Sequence, residues 1–379
     1  MVGQLGLHAV MAGLRLAAPL QALREGAGAW TVGVLLALFA AAPVLLALHA
    51  GRMADRHGYH RPVYLAAAVT AGGALLAVVS TAVGGWAHYA LLFAAATATG
   101  AGANLGMLTI QRTGGLVARD ATDRMRIFSW LAIAPSFGNV IGPVAVGLVI
   151  DAAGFPAAYM LLLMMPLATV LTARRVPRQP TLPVVEPPPG RRAWDLLAAP
   201  GMKRLLFVNW LFSSCWDVHT FAVPILGHQR GFSASTIGLV LGAFTLSVTV
   251  VRLLLPLVAH RLREVPVIHA AMLGTALVFA LYPLAATPLL MAGCAGLLGL
   301  TLGPVQPMVM SMLHRLTPDG RHGEALAFRS MAINASSTVM PLLFGVFGTA
   351  MGAAGMFWVV GGAIGAGSWA ARRLGSVRT

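Results

Sequence analysis

Acidic residues are scarce in this chain. Asp and Glu together number 11 in 379 residues, and only 10% of positions carry a formal charge. A typical soluble domain has roughly 25% charged residues, so a water-facing surface of this size could not be covered. Lysine is nearly absent: Lys203 stands against 25 arginines. Cysteine occurs twice, at Cys215 and Cys294, both inside apolar sequence. Such residues behave as small hydrophobes, which leaves no disulfide framework and no cysteine metal site. Also missing are a His-Glu-x-x-His zinc motif, a Gly-x-Ser-x-Gly elbow, a Walker motif and paired carboxylates within an apolar stretch. The glycine run Gly100 to Gly106 lies in mid-span and reads as helix packing. A membrane-embedded enzyme and an ATP-driven pump are therefore not expected of this chain.

What is abundant is apolar sequence, at 58% of residues. A bilayer core needs about 20 mostly apolar residues per helical span, and hydropathy places spans near 4–23, 28–50, 62–83, 87–110, 127–150 and 155–173. A second set follows near 205–227, 235–258, 266–285, 288–313, 331–350 and 353–371. The first segment lacks a basic n-region and reads as a span, not a leader. The expected fold is an all-α membrane protein of twelve transmembrane helices in two six-helix bundles.

The net charge of +15 would suggest nucleic acid in a soluble protein, but no aromatic-interleaved basic patch accompanies it. Its distribution explains it better. Numbered from a cytoplasmic N-terminus, the even loops and the tail hold twenty-two of the twenty-six basic residues: Arg52, Arg56 and Arg61, then Arg112, Arg119, Arg124 and Arg126, then seven from Arg174 to Arg204. Arg261, Arg263, Arg315, Arg321, Arg329, Arg372, Arg373 and Arg378 complete the set. The positive-inside rule then places both termini in the cytoplasm. The interval 174–204 carries seven prolines, including Pro187, Pro188 and Pro189, and reads as a semi-rigid linker between bundles at 1–173 and 205–379. Its arginine in place of lysine, in an Ala- and Gly-rich chain, points to a GC-rich bacterial genome and so to a bacterial inner membrane.

An internal repeat supports the two-bundle division. A shift of 205 residues pairs Ala17 with Ala222, Pro19 with Pro224, Gly26 with Gly231, Thr31 with Thr236 and Gly33 with Gly238. Without a gap it continues through Leu36 and Leu241, Phe39 and Phe244, Ala54 and Ala259, and Arg56 and Arg261. Repeats of this kind in transporters place a solute site near mid-membrane, at the interface of the repeats.

Between the second and third spans stands Gly51-Arg52-Met53-Ala54-Asp55-Arg56-His57-Gly58, with Arg61 beyond it. The spacing of Gly51, Asp55, Arg56 and Gly58 resembles the signature loop of the major facilitator superfamily, although Tyr59 and His60 depart from the usual basic pair. The glycines would permit a tight turn, and the resemblance implies a latch that closes one side of the transporter. A plain topogenic basic turn is the competing reading. The second copy is degenerate: Pro256 and His260 stand in the Gly and Asp positions, and Arg261 remains. In the fifth span Gly138, Gly142, Pro143 and Gly147 resemble a glycine-proline motif of antiporters and drug exporters, with Val146 in place of one glycine. Small residues four apart also serve ordinary helix packing.

A charge at the bilayer centre costs roughly 2.5 to 3.5 kcal/mol on insertion scales and marks a functional candidate. Arg15, Asp217 and Arg252 are such charges. Arg15 shares a helical face with His8 and Gln4, and Asp217 with Asn209, Ser213 and Thr220. In the repeat register Arg15 corresponds to Thr220, one turn from Asp217. The expectation is that Asp217 takes up and releases a proton while Arg15 binds anionic or acceptor groups of a solute; a static Arg15–Asp217 ion pair is the alternative. His219 points to another face. Arg252 lies with Thr245 and Thr249, and Gln306, Asn104, Asn139 and Asn334 are neutral candidates for a cavity or for interhelical bonds.

The expected function is secondary active transport of a small organic solute by alternating access, as a proton-coupled efflux antiporter. Proton-coupled uptake of an organic anion is second, and a non-transporting receptor or scaffold is the rival class. No cofactor is expected beyond a proton gradient. The expected partners are the solute and the lipid bilayer, with no nucleic acid, and the chain is expected to be a monomer.

Overall fold

The computed structural model describes residues 2–117, 121–176, 193–258, 261–317 and 322–374, apart from the side chains of some positions within them. The elements in chain order are α1 (Val2–Arg24), α2 (Ala29–His57), α3 (His60–Ser80), α4 (Gly85–Val117), α5 (Ala121–Met164) and α6 (Pro166–Ala173). They continue with α7 (Met202–Gln229), α8 (Ala234–Val258), α9 (Glu264–Leu281), α10 (Pro288–Leu302), α11 (Val305–Leu316) and α12 (His322–Arg372). Helix is the outcome that hydrocarbon demands, because it satisfies every backbone N–H and C=O within its own segment.

Eight helical stretches among the described residues are long and apolar enough to cross a membrane. Two of these are double. α5 is interrupted at Gly154 (φ 80°, ψ 179°) and α12 at Gly352 (φ 69°, ψ 174°), in nearly the same backbone conformation. Each break is a left-handed glycine turn where one rod ends and the next begins. α1 and α7 are missing from the eight because they carry polar residues, yet at 23 and 28 residues their length exceeds the roughly 30 Å hydrocarbon core at 1.5 Å per residue. With α10 and α11 counted as one rod bent at Gly303-Pro304, the described residues hold twelve.

The 205-residue repeat extends to hydrogen bonds. After α1, the Gly26 N–H donates to Leu23 O (3.1 Å) and the Ala27 N–H to Ala22 O (2.8 Å). After α7, Gly231 donates to His228 O and Phe232 to Gly227 O, both at 2.9 Å. These are the paired bonds of a Schellman cap, with Gly26 at φ 86° and Gly231 at φ 71°. The next helix starts three residues later in both copies, at Ala29 and Ala234.

The chain divides into two compact units, Met1–Glu186 with Gly227–Gly242, and Pro187–Leu226 with Ala243–Thr379. Of the linker expected at 174–204, residues 177–192 lie outside the described residues. In the first unit α1 packs chiefly on α5, and α4 on α2 and α3; in the second, α9 packs on α10, α11 and α12. The α1–α5 seam is glycine-lined. A Cβ on Gly142 would stand 2.5 Å from Ala9 O and 2.8 Å from the Gly13 N, and one on Gly138 would stand 2.9 Å from the His8 Cβ.

A Gly142→Val substitution must therefore push two backbones apart. We expect it to destabilise the protein by about 1–3 kcal/mol, read as a lowered thermal midpoint of the purified protein. Gly72, whose Cβ would meet nothing within 4 Å, serves as the comparison: Gly72→Ala should leave the midpoint unchanged or raise it. Equal midpoints for the two variants would contradict the seam.

Candidate functional site

The α7 stripe expected from sequence separates into parts with different roles. Ser213 donates back to Asn209 O (3.1 Å), and Thr220 to Trp216 O (3.1 Å) and Asp217 O (3.0 Å), so both hydroxyls serve their own helix. Asn209 is only 4% exposed and its Nδ2 has no hydrogen-bond partner. Asp217 is 3% exposed. Ser336 donates to its Oδ2 at 2.7 Å and Ser337 to its Oδ1 at 3.1 Å. Two adjacent α12 serines thus reach the two oxygens of one carboxylate, and charge-assisted bonds of this kind are the strong ones.

Ser214 extends the cluster, its Oγ lying 3.3 Å from that of Ser336. The same Ser214 lines a cavity of about 250 Å³ between α7 and α12, walled by Trp210, Met340, Phe344, Met356 and Val360. An apolar cavity therefore stands one hydroxyl pair away from a buried carboxylate. His219 faces elsewhere, as its spacing from Asp217 implied. Its Nε2 lies 3.0 Å from the Tyr282 hydroxyl, and its ring packs 4.4 Å from that of Phe244.

On α1, in the first unit, Gln4 is 1% exposed and neither of its amide heteroatoms is hydrogen-bonded. His8 is half-buried beside Gly138. The Arg15 guanidinium lies 6.0 Å from the centre of the Phe39 ring, a cation–π contact with a buried aromatic.

The signature motif lies on helix and not, as expected, in a tight turn: α2 continues to His57, and the only left-handed residue is Gly58, at φ 67°. Arg56 is exposed. Gly51 and Asp55 fall within α2, but their side chains lie outside those described, so the latch stays an expectation. The fifth-span motif meets backbone on two sides. Gly138 and Gly142 face α1, a Cβ on Gly147 would stand 2.5 Å from Ala234 O, and Pro143 O abuts Gly238 of α8. Gln306 on α11 is exposed.

Arg252, on α8, is mostly buried, and its Nε has no hydrogen-bond partner. Arg329, which the sequence groups with the loop arginines, is instead a mostly buried residue of α12, with Nε and Nη2 both unpartnered. The first turns of α12 are too polar for a hydropathy window to include.

Two polar assemblies are not anticipated from sequence. In the first, Tyr159 donates to Gln21 Oε1 (2.7 Å), Gln21 donates to Glu25 (2.9 Å), and Glu25 lies 3.0 Å from His88 Nε2. The His88 Nδ1 donates to Ser80 O at 2.8 Å, and Gln21, Glu25, Ser80, Thr81, His88 and Tyr89 line a cavity of about 360 Å³. In the second, the Asp151 carboxylate accepts from the backbone N–H groups of Ala234 (3.0 Å) and Ser235 (2.7 Å), at the positive end of the α8 dipole, with Arg24 3.7 Å away. The one signal available for either was the Gln21-to-Glu25 spacing of four. Among the described residues no three His, Cys, Asp or Glu side chains converge on a possible metal position.

The family pattern of the Major Facilitator Superfamily matches residues 1–215 and, a second time, residues 205–376. The chain belongs to the Major Facilitator Superfamily. It is accordingly a multi-pass secondary transporter, not an enzyme, with a small-molecule substrate and the lipid bilayer as its partners. Its fold is that of solved members of the superfamily. A POT family transporter crystallised with a thioalcohol-conjugated peptide is 12% identical, with a TM-score of 0.75 over 97% of this chain and 94% of that one. A POT family transporter crystallised with 5-aminolevulinic acid is 13% identical, with a TM-score of 0.76 over 97% and 94%. The nucleoside transporter NupG is 14% identical, with a TM-score of 0.73 over 100% and 98%. No curated protein matches the chain significantly.

The hydroxyl pair on Asp217 gives a direct test of the cluster. Removing one donor from a buried ionised group costs about 1.5–3 kcal/mol, so Ser336→Ala should lower the stability of this Major Facilitator protein by that order. In a double-mutant cycle with Asp217→Asn, the cost of Ser336→Ala should shrink, because the acceptor is already neutral. Additive losses would mean that Ser336 contributes by packing alone.

Proposed function

We propose that the chain is a proton-coupled exporter of a small organic solute, with Asp217 as the group that takes up and releases the coupled proton. The observation that carries this reading is the setting of that carboxylate, which is almost wholly buried and held by the hydroxyls of Ser336 and Ser337. A hydroxyl can donate to a carboxylate and accept from a protonated acid. This cluster therefore accommodates both charge states of Asp217 without leaving a polar atom stranded.

The neighbouring cavity supports an apolar or amphipathic solute. At about 250 Å³ and lined mostly by Met, Phe, Leu and Val, it offers surface to a hydrophobic moiety and one hydroxyl, Ser214, to a polar one. The efflux direction draws on the fifth-span motif, whose glycines bring α5 against α1 and the first turn of α8. The arginine asymmetry supports a bacterial inner membrane with both termini cytoplasmic, and a division at the Pro-rich linker into bundles at 1–173 and 205–379. On α1, Arg15 with its companions His8 and Gln4 would bind anionic or acceptor groups of the solute.

The test is transport in proteoliposomes with an imposed pH gradient and a panel of labelled amphipathic solutes. Solute movement opposite to the proton flux is expected for the unmodified protein. Asp217→Asn should reduce gradient-driven movement at least tenfold while leaving solute exchange without a gradient largely intact. Retention of gradient-driven transport by that variant would remove Asp217 from coupling, and accumulation in the direction of proton flow would establish uptake.

A further inference from the structure

Among the described charges of the second unit some pair with side chains or backbone and others face solvent, and Arg252 and Arg329 do neither. Glu264 accepts from Ser311 (2.8 Å) and Arg315 (3.1 Å). Arg204 donates to Arg373 O (2.8 Å), Arg373 stacks on Trp369 at 3.8 Å, and Arg372 donates to His269 (2.7 Å). Lys203 and Arg263 are exposed to solvent. Arg252 and Arg329 have none of these arrangements. Both are mostly buried, and the neighbouring charge that acts on Arg252 is that of Arg329. Three of their nitrogens, Nε of Arg252 and Nε and Nη2 of Arg329, are shielded from solvent and bonded to nothing.

A guanidinium keeps its proton in a protein, so this pair cannot relieve its repulsion by titrating. Two like charges mostly withdrawn from water, with three directional donors unmet, are what an anion complements. The donors favour an oxyanion over chloride, because the planar fork of arginine matches oxygen pairs. A phosphoryl group suits two forks better than a single carboxylate does, having three acceptor oxygens and, as a monoester, a charge near −2. We infer that Arg252 on α8 and Arg329 on α12 form a binding site for a phosphoryl oxyanion. The 205-residue register puts Ala47 opposite Arg252, so this site belongs to the second copy alone. It requires neither transport nor proton coupling, and it stands or falls independently of Asp217.

The phosphoryl group could be that of a soluble phosphate or that of an anionic lipid, and two arms of one experiment separate these sources. In the first arm, lipid-depleted protein in detergent is titrated with inorganic phosphate against chloride at equal ionic strength, with the thermal midpoint as readout. In the second, the protein is placed in nanodiscs of phosphatidylcholine, whose phosphate is a diester, with and without phosphatidic acid, whose phosphate is a monoester. The midpoint should rise by several degrees in at least one arm, and the arm that responds names the source. Arg252→Gln and Arg329→Gln should each raise the concentration needed for half the effect at least tenfold, the double variant should abolish it, and the exposed Arg263→Gln should not change it.

The sign of a second measurement distinguishes an anion site from a structural role. Without phosphate or anionic lipid, Arg329→Gln should melt no lower than the unmodified protein, since it removes an uncompensated charge. If that variant fails to fold, Arg329→Lys and Arg252→Gln carry the same comparison, with Lys keeping the charge and losing the fork. No response of the unmodified protein in either arm, or an equal response from the double variant, would overturn the site.

Discussion

The structure depends on one constraint: inside a hydrocarbon layer there is no water to satisfy a polar group, so each must find its partner within the protein. Backbone groups meet the constraint by helix formation, and the chain is helical across nearly all of its described length. The exceptions are instructive, because Gly26, Gly154, Gly231 and Gly352, which join successive rods, are all left-handed. A rod ends where a glycine can turn the chain and a Schellman pair or a restarted helix can absorb the freed N–H and C=O groups. Side chains meet the constraint in a second way. Thr97, Thr109, Thr113, Thr172 and Thr249 each donate to a carbonyl of their own helix three or four residues back, which makes a hydroxyl cheap to place in an apolar rod. Polar groups that follow neither course are those whose chemistry is of interest.

By that standard the contacts between long helices carry a cost of their own. Glycine at the α1–α5 and α5–α8 contacts removes side chain so that backbones can meet, and the gain is contact between rods where the hydrophobic effect gives no help. The same glycines account for much of the fifth-span motif without any reference to direction of transport. Gly138 and Gly142 serve α1, while Gly147 and the Pro143 carbonyl serve α8. Packing and transport are not alternatives at such a seam, since a surface of bare backbone is also one along which rods can slide with little side-chain rearrangement.

How much of this was legible in sequence follows from the scale of each signal. The rods were legible because twenty apolar residues in succession average out local exceptions, and the repeat was legible because Gly and Pro constrain backbone and so keep register. Gly26 and Gly231 fulfil that register down to the hydrogen bonds around them. Asp217 stood out because a lone carboxylate in apolar sequence is rare. Ser336 and Ser337 did not, since serine is unexceptional in a membrane helix and only tertiary structure says which hydroxyl leaves its own backbone for a neighbour. Glu25 and His88 were passed over because they sit at helix ends, where polar residues are ordinary. Arg329 was misplaced for a related reason: a short polar approach to a span looks like loop to any averaging window, whereas the helix begins earlier and carries the arginine inward.

The contrast between Asp217 and the two arginines separates a group whose chemistry lets it change charge from one whose chemistry keeps it. A carboxylate held by two hydroxyls can be neutral or ionised with its bonds intact, because on protonation one hydroxyl turns from donor to acceptor while the other still donates. A guanidinium has no acceptor capacity and no accessible neutral form. Its surroundings cannot adjust to its state, so they must supply a counter-charge or leave the repulsion standing. Asp217 has its compensation from α12 in place, and on the proposed reading what varies there is the proton. At Arg252 and Arg329 the cations are fixed and unanswered at three nitrogens, so what can vary is the anion. Both sites join α12 to another helix of the same unit, to α7 in one case and α8 in the other. On the readings proposed above, occupancy of either would alter how strongly α12 is held to its neighbours, and a bound proton or anion would gain leverage on the movement of helices in that way.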